Sequence, residues 1–597
     1  MKKKPWQRIA CLICAITLCA SALAGCGGNN TSSTGDSSQT SSSSTESKED
    51  SSSGGESSEA SGGETGIQTA EGFNKEGLPI LNEKKTYEVY IGQMGTLKPA
   101  NETQANIDTT ADTNVEINWV EVPLASWSEK VNVLLASQTL PDAFCGNAID
   151  LPSYGDMFLR LNEYMDEFAP VTKKFFDDHP TYYSSSADSE GNIKMLPTGD
   201  EYLGNTIDAQ LWINKDWLDT LKLEIPTTTD EFVEVLRAFK TKDPNGNGEA
   251  DEIPYTFREV WGWAAGMENM FGPFGVVEND NHVFLDPKDG KTVVFSAEEQ
   301  GYYDALEWMH SLYAEGLLDS ECFTHSSDQY YTKNTGKDII GSYNEYGDGG
   351  LGTFISDTHG DEVNPETDEA YRKFVHVPAL KGPNGDQIVG LNNLNRDTGL
   401  YITTKCEEPE ALVRWYDYVN SSLDTKLKFR TGKENEVWYY TDEVDPDDPF
   451  GHKIPMTKYL IDPDDYKQFG YNNSSEYSSN EAFAGWSPAL SYYEKDQKIK
   501  ADGGAGDYIK LPAAKIDVEF GVQPLPPGVT TIENQEQRGI LKADIDNYLL
   551  RFISDSIVNG IDESKWNEHL SQLEKLRVPE YKQLCQEFVD EIQARMN

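Results

Sequence analysis

Paired cysteines, clustered histidines and a basic surface are what this chain lacks. Of its eight cysteines, three (Cys11, Cys14, Cys19) fall within the first 25 residues, while Cys145, Cys322, Cys406 and Cys585 lie far apart. No CxxC survives beyond residue 25, so neither a zinc site nor a redox dithiol is indicated, and the four scattered thiols read as buried apolar groups. The eight histidines do not fall in metal-ligand spacing, and neither HExxH nor GxSxG occurs. The segment 347-GDGGLG-352 matches GxGxxG, but 353-TFISDTHGDEVNP-365 after it is no amphipathic helix, which removes a dinucleotide site. Lys and Arg number 50 against 101 Asp and Glu, for a net charge of −51. Phosphate binding depends on clustered cations, so nucleic acid is a poor partner. Carboxylate pairs such as Asp177/Asp178 and Asp447/Asp448 are abundant in so acidic a chain and read as solvated faces rather than catalytic dyads.

What the N-terminus contains is more specific. Residues 1-MKKKPWQR-8 are basic, 9-IACLICAITLCASALA-24 is an apolar run too short for a spanning helix, and 23-LAGC-26 places small residues before a cysteine. This resembles a bacterial lipobox, with cleavage before Cys26 and a diacylglyceryl group on its thiol. The expectation is a signal peptide over 1–25 and a chain anchored by lipid at the extracellular face of the cell membrane without spanning it. Loss of the signal's four basic residues takes the charge from −51 to −55. Residues 26–85 follow as a Ser/Gly/Glu-rich tether; 27–64 hold no core-forming residue and cannot offset the chain entropy of folding.

From residue 86 the patterns are globular. Alternation in 86-TYEVYIGQM-94 and 115-VEINWVEVP-123 predicts strands, 127-WSEKVNVLLASQTL-140 a helix, and 141-PDAFCGN-147 a short strand. Strand, strand, helix, strand in that order suggests an α/β lobe with ligand access at strand ends. Thr228 and Glu231 fit a capping box, and Phe232, Val235, Leu236 and Phe239 the spacing of a helix that stops before Pro244. Further helices are expected over 297–316, 407–422 and from 533 to 596, and a strand over 337–341. Residues 430–520 are polar and rich in Tyr, Gly and Asp.

The segment 242-KDPNGNGEADEIP-254 alternates carboxylates and amides. Asp243, Asn245 and Asn247 stand at positions 1, 3 and 5 of a calcium loop, the carbonyl of Glu249 at 7 and Asp251 at 9, with Gly248 allowing the sharp turn. Position 12 is Pro254, so this departs from the EF-hand, and Glu252 is the substitute carboxylate. On spacing alone, a metal loop and a plain Asn-Gly turn pair both remain open.

The lipobox, the tether, the block 210–254, 312-LYAEGLLDSECF-323, 377-VPALKGPNG-385, 410-EALVRWYDYV-419 and 560-GIDESKWNEHLSQLEKL-576 together resemble a family 1 extracellular solute-binding lipoprotein of an ABC importer. The likeness is to the large-oligosaccharide branch that includes alginate-binding proteins, spans about 86–597 and is most specific in 210–254. It implies a two-lobed α/β fold of the periplasmic-binding-protein type II class, with a hinge between lobes and C-terminal helices. On that pattern lobe 1 covers 86–208 and returns over 386–430, lobe 2 covers 209–385 and most of 431–520, and 521–597 brace both.

The resemblance further implies a monomer that closes on an oligosaccharide and presents it to a membrane permease pair, and it favours structural calcium in the 243–252 loop. Sugars offer apolar faces and hydroxyl edges, so their sites join aromatic platforms to amides and carboxylates. Three loops have that mixture: Trp261 and Trp263 in 257–266, Tyr343, Asn344 and Tyr346 in 341–350, and Asn392 and Asn393 in 391–399. Trp127 and Trp486 are further candidates. No catalytic residue is indicated. Two rivals remain: a surface-anchored glycoside hydrolase or lyase, which needs two carboxylates flanking one bond, and the same fold with a peptide or other solute.

Overall fold

The structure is a computed structural model describing residues 67–93, 98–199, 204, 206–207, 209–262, 266–334, 338–345, 373–393, 395–430, 432–434, 438–444, 453–457, 481, 500–501 and 513–596. The first sheet is built from β1 (Lys85–Gln93), β2 (Val115–Pro123), β3 (Ala143–Cys145), β4 (Leu196–Gly199) and β11 (Asn395–Ile402), in the order β2-β1-β3-β11-β4. β1 runs parallel to β2 and β3, while β11 is antiparallel to β3 and β4. In β2 the alternation places Val115, Ile117 and Trp119 inward.

A parallel pair cannot be closed by a hairpin and needs a crossover. It is supplied by α1 (Gln104–Thr113), a helix absent from the strand, strand, helix, strand expectation. Its Thr- and Asp-rich sequence has low intrinsic propensity and no apolar stripe. Caps hold it instead: Thr103 accepts from the Asn106 amide, and Asn114 turns left-handed at φ 59°. α2 (Trp127–Ser137) follows β2 and buries Trp127, Val131, Leu134 and Leu135. α3 (Leu151–Tyr154), α4 (Asn162–Phe168), α5 (Pro170–Asp178), α6 (Pro180–Ser186), α11 (Pro409–Val419) and α12 (Leu423–Arg430) complete this part of the chain.

The second sheet has β5 (Gln210–Asn214) between β8 (Ser342–Glu345) and β9 (Phe374–His376), both antiparallel to it. All five residues of β5 are buried, as a central strand covered on both faces requires. The strand expected at 337–341 lies further on, at 342–345. Residues 338–341 instead run beside the loop that follows α8 (Thr229–Thr241), with Ile253 N donating to Ile339 O and Gly341 N to Ile253 O. α8 starts where its capping box predicts: Thr228 Oγ1 accepts from Glu231 N at 3.2 Å, and the Glu231 carboxylate returns to Thr227 N at 2.8 Å, one residue before the cap. Phe232, Val235, Leu236 and Phe239 form its buried face, each contributing roughly 1.5–3 kcal/mol by burial. α7 (Lys215–Leu221), α9 (Gln300–Ala314), α10 (Ser327–Asn334) and the hairpin β6 (Val283–Leu285) and β7 (Val293–Phe295) surround this sheet.

Two large hydrophobic cores result. One draws on residues between 80 and 196 and again on 400–429, and the other on residues between 211 and 380 together with 522–592. Where the chain passes between the cores, Ile207, Val389 and Leu391 form a small apolar cluster with Val518 and Phe520 packed against it. At the crossing, β10 (Val389–Gly390) pairs in parallel with β15 (Gly521–Val522), and Asn392 N donates to Thr206 O at 2.7 Å. Three further strands, β12 (Trp438–Val444), β13 (Lys453–Thr457) and β14 (Lys500–Ala501), form a sheet of their own.

The terminal helices α13 (Ile532–Asn559), α14 (Glu563–Lys575) and α15 (Val578–Met596) bury Leu541, Ile545, Leu549, Ile553, Val589 and Ile592 in the second core. α15 also packs on α6, where Arg595 donates to the carbonyls of Ala187 and Asp188. Cys145, Cys322, Cys406 and Cys585 are buried free thiols. Among the described residues no helix is long and apolar enough to cross a membrane.

Candidate functional site

The 243–252 loop leaves the C-terminus of α8 through Asp243 in the left-handed region (φ 45°), with Gly246 and Gly248 also at positive φ. Asp243 Oδ2 accepts from Gly248 N at 3.1 Å, Asn245 Oδ1 from Asn247 N at 3.1 Å, and Asn247 Oδ1 from Glu249 N at 2.7 Å. Each of these side-chain oxygens holds one backbone amide. Asn245 Nδ2 ties the loop to Asp338 O, and Asn247 Nδ2 bonds Asp251 Oδ1 at 3.0 Å. Among the described residues no three carboxylate, imidazole or thiol side chains converge as a metal centre.

One observation nevertheless fits a cation. Glu252 Oε1 is buried without a hydrogen-bond partner, and burial raises its pKa, with Asp251 and Asp243 adding to the rise. A partly buried carboxylate beside two others is relieved by a divalent ion, and Asp243, Asn245, Asn247, Asp251, Glu252 and the Glu249 carbonyl supply oxygen donors of the type calcium takes.

Beyond the loop the chain builds a polar wall. Arg258 Nη1 donates to the Tyr331 hydroxyl at 2.7 Å, that hydroxyl lies 3.4 Å from Glu345 Oε1, and Arg258 Nη2 pairs with Glu259. Burial pushes the Glu345 carboxyl up to about 7, against the opposing pull of Tyr330, Arg258 and Tyr331.

Closer to the crossing segments, a cavity of about 200 Å³ is lined by Glu268, Asn269, Glu278, Asp280, Asn392 and Asn393, among others. Its side chains are fixed by the fold. Asn393 Nδ2 donates to Leu525 O at 2.7 Å, and Asn269 Nδ2 to Ala209 O at 3.3 Å. Glu278 Oε1 accepts from Trp261 Nε1 at 2.9 Å and lies 2.6 Å from His282 Nδ1. The lining contains carboxylates and amides and no Lys or Arg, a surface suited to hydroxyl donors.

Of the expected ligand residues, the structure brings Asn392 and Asn393 to this cavity; Trp261 is half-buried outside its lining, with the indole N–H on Glu278. Three others are corrected to the core. Trp127 is 4 % exposed and packs edge-on to Phe144; Tyr343 is 2 % exposed against Phe374. Asn344 is fully buried, with its oxygen accepting from Tyr255 and its nitrogen donating to Ala209 O. The reason for the last two is the strand shift: both lie in β8, against the central strand β5, rather than in a loop. Trp263, Tyr346, Trp486 and Cys26 lie outside the described residues. Glu268, Asn269 and Glu278 were not expected. The run 278-ENDNH-282, five polar residues between apolar neighbours, marks only Glu278; Glu268 and Asn269 have no such signal.

The family of bacterial extracellular solute-binding proteins matches residues 97–422, more than half of the chain. This chain belongs to that family. The fructooligosaccharide ABC transporter substrate-binding protein FusA of Streptococcus pneumoniae is 27% identical over 560 residues, 90% of this chain and 96% of FusA. The structure of FusA with kestose superposes with a TM-score of 0.67 at 24% identity, over 85% of this chain and all of FusA's. A FusA variant described as an EF-hand mutant, bound to fructo-nystose, superposes at 0.65 over the same shares. A solute-binding protein of Bifidobacterium longum infantis, described as binding HMO, has a TM-score of 0.70 at 19% identity, covering 85% of this chain and 99% of its own. The alginate-binding protein AlgQ2, solved without calcium ion, has a TM-score of 0.59 at 19% identity over 86% of this chain and all of its own. The fold is therefore the two-lobed α/β fold of solute-binding proteins.

Proposed function

We propose that this protein captures an oligosaccharide between its lobes and presents it to an ABC importer. The observation that carries the reading is the carboxylate- and amide-lined cavity at the crossing segments, where Glu268, Asn392 and Asn393 offer acceptors to sugar hydroxyls, with the half-buried indole of Trp261 bonded to Glu278 of the same lining. Likeness to FusA across most of both chains makes fructo-oligosaccharides the first ligands to try. The lobes divide as 86–208 with 386–430 and 209–385 with most of 431–520, and their closure about the 199–210, 390–395 and 520–530 segments is the state a permease pair reads.

In this reading the protein performs no chemistry on the sugar, acts as a monomer, and is held at the outer face of the membrane by lipid on Cys26. Calcium sits in the 243–252 loop as a structural ion held by Asp243, Asn245, Asn247, Asp251 and Glu252 with the Glu249 carbonyl. When bound it offsets the clustered carboxylate charge. The loop residues fix the path between α8 and residues 338–341, whether or not sugar is present.

Calorimetric titration of kestose and longer fructo-oligosaccharides, with chromatography of the recovered ligand, tests the proposal. Saturable binding with ligand recovered intact is expected. Cleaved product would replace it with a hydrolase or lyase, and binding confined to peptides would replace the ligand class.

A further inference from the structure

A second and larger cavity, of about 550 Å³, adjoins the polar one, with Asn281, Asn393 and Leu525 in the lining of both. Its walls are the loop 148–152 after β3, the crossing segment 525–530, and the facing sides of α13 and α15. We propose that this cavity is a separate binding site, for a polyhydroxylated carboxylate of the size of a hexuronate.

The first argument is Arg538, the sole Lys or Arg in the lining. Acidic residues outnumber basic ones twofold in this chain, and Arg237, Arg258, Arg577 and Arg595 each close on a carboxylate. Arg538 makes no ion pair among the described residues. It is held by neutral groups instead: Nε donates to Asn534 Oδ1 at 2.7 Å, and the guanidinium lies 4.3 Å from the centre of the Phe588 ring. The Cys585 thiol beside it stays protonated, because burial pushes its pKa up more than the guanidinium draws it down. A guanidinium fixed by one amide and one ring face, and left uncompensated, is preorganised for an incoming anion, and its planar fork matches a carboxylate.

The second argument is what the remaining wall can still accept. Asn393 and Gln535 each give one amide hydrogen, to Leu525 O and to Asp150 Oδ1, and their oxygens are acceptors. Ser185 and Tyr581 donate their hydroxyl hydrogens to Tyr182 O and Asn281 O. Pro526 and Pro527 have no N–H at all. The wall therefore offers acceptors around one cation, and its complement is a molecule with one anionic group and several O–H donors. Asp150 is the lone carboxylate of the lining. It is exposed, accepts from Ser153 N and Gln535, and forms no ion pair with Arg538.

The test is titration calorimetry on the full chain with D-glucuronate, D-glucose and sulfate. Glucuronate is expected to bind saturably, with glucose and sulfate each at least about tenfold weaker. Arg538→Gln should weaken glucuronate by about tenfold or more, as loss of a charge-assisted contact does, with fructo-oligosaccharide binding unchanged. If Arg538→Gln does not fold, Ala148→Trp, which fills the cavity from an exposed lining position, should abolish glucuronate binding. Absence of glucuronate binding, equal affinity for sulfate, or binding that survives both variants would overturn the site, and none of these results bears on sugar capture in the other cavity.

Discussion

His282 Nδ1 lies 2.6 Å from Glu278 Oε1, and neither side chain reaches solvent. The other ring nitrogen is 2.9 Å from Asp546 Oδ1 on α13, where Asp546 also pairs with Lys542. Burial opposes a charged imidazole here, but Glu278 and Asp546 outweigh it and lift the pKa from 6.5 to about 9. One charged ring thus joins the turn beside the polar cavity to α13.

The sign of the linkage follows from that lift. A histidine with a raised native pKa gives its full contribution below pH 6.5 and loses it as pH rises through about 9. The melting temperature should fall by roughly 2–3 °C between pH 6.5 and 9.5, given the entropy of unfolding of a chain this size. In His282→Gln that pH-dependent component should be missing. Scanning calorimetry of both proteins across the range checks it, and parallel curves for the two would refute the ion triad.

Two tryptophans separate platform from packing. Trp261 is half-buried with its indole N–H on Glu278, whereas Trp127 is 4 % exposed in an apolar cluster. Trp261→Ala should weaken oligosaccharide binding by about tenfold or more, at 1.4 kcal/mol per decade, with a modest loss of stability. Trp127→Ala should cost about 3–5 kcal/mol of stability while the refolded fraction binds sugar normally. Paired melting and titration curves decide, and equal effects of the two changes on affinity would remove Trp261 from the site.

Periodicity made much of this fold legible. Each residue of α8's predicted stripe is buried, and the helices at 300–314, 409–419 and 532–596 fall within two or three residues of expectation. Two kinds of feature escaped. α1 is held by caps and by the crossover that a parallel pair demands, and neither leaves an apolar stripe in the sequence. In 337-KDIIGSYNE-345 the apolar centre sits in the connection and the polar end is the strand, because Tyr343 and Asn344 face β5 and a buried tyrosine rather than water. That inversion moved two expected sugar ligands into the core. The lining of the candidate cavity was half legible: Asn392 and Asn393 were readable as loop amides, but Glu268 and Glu278 reach it only through tertiary folding.

Glu345 gives a prediction of the opposite charge type. Its carboxyl is 1 % exposed as a residue and titrates at about 7, with burial the largest cause. A carboxyl with a raised native pKa destabilises the fold increasingly as pH climbs from 4.5 through 7, by on the order of 3 kcal/mol at the plateau. Glu345→Gln removes the buried charge, so it should melt higher than the parent at pH 8 and level with it near pH 4.5. A variant no more stable at pH 8 than at pH 4.5, each relative to the parent, would show that Arg258 already neutralises the carboxylate.

The 243–252 loop supplies the remaining test. Glu252 Oε1 is buried with no partner and its pKa is raised by burial and by Asp251 and Asp243, a combination that costs stability unless a cation is present. Calcium at about 100 times its dissociation constant would add about 2.7 kcal/mol to the folded state, a rise of roughly 2–3 °C in melting temperature. Chelation should reverse the rise while the affinity for sugar changes little, because the loop ties α8 to residues 338–341 rather than to the cavity. Glu252→Gln satisfies the buried position without the charge, so it should raise the melting temperature of the metal-free protein and abolish the response to calcium. Superimposable melts with calcium and with chelator would leave Asp243, Asn245 and Asn247 as turn formers alone, each holding the backbone amide it already accepts.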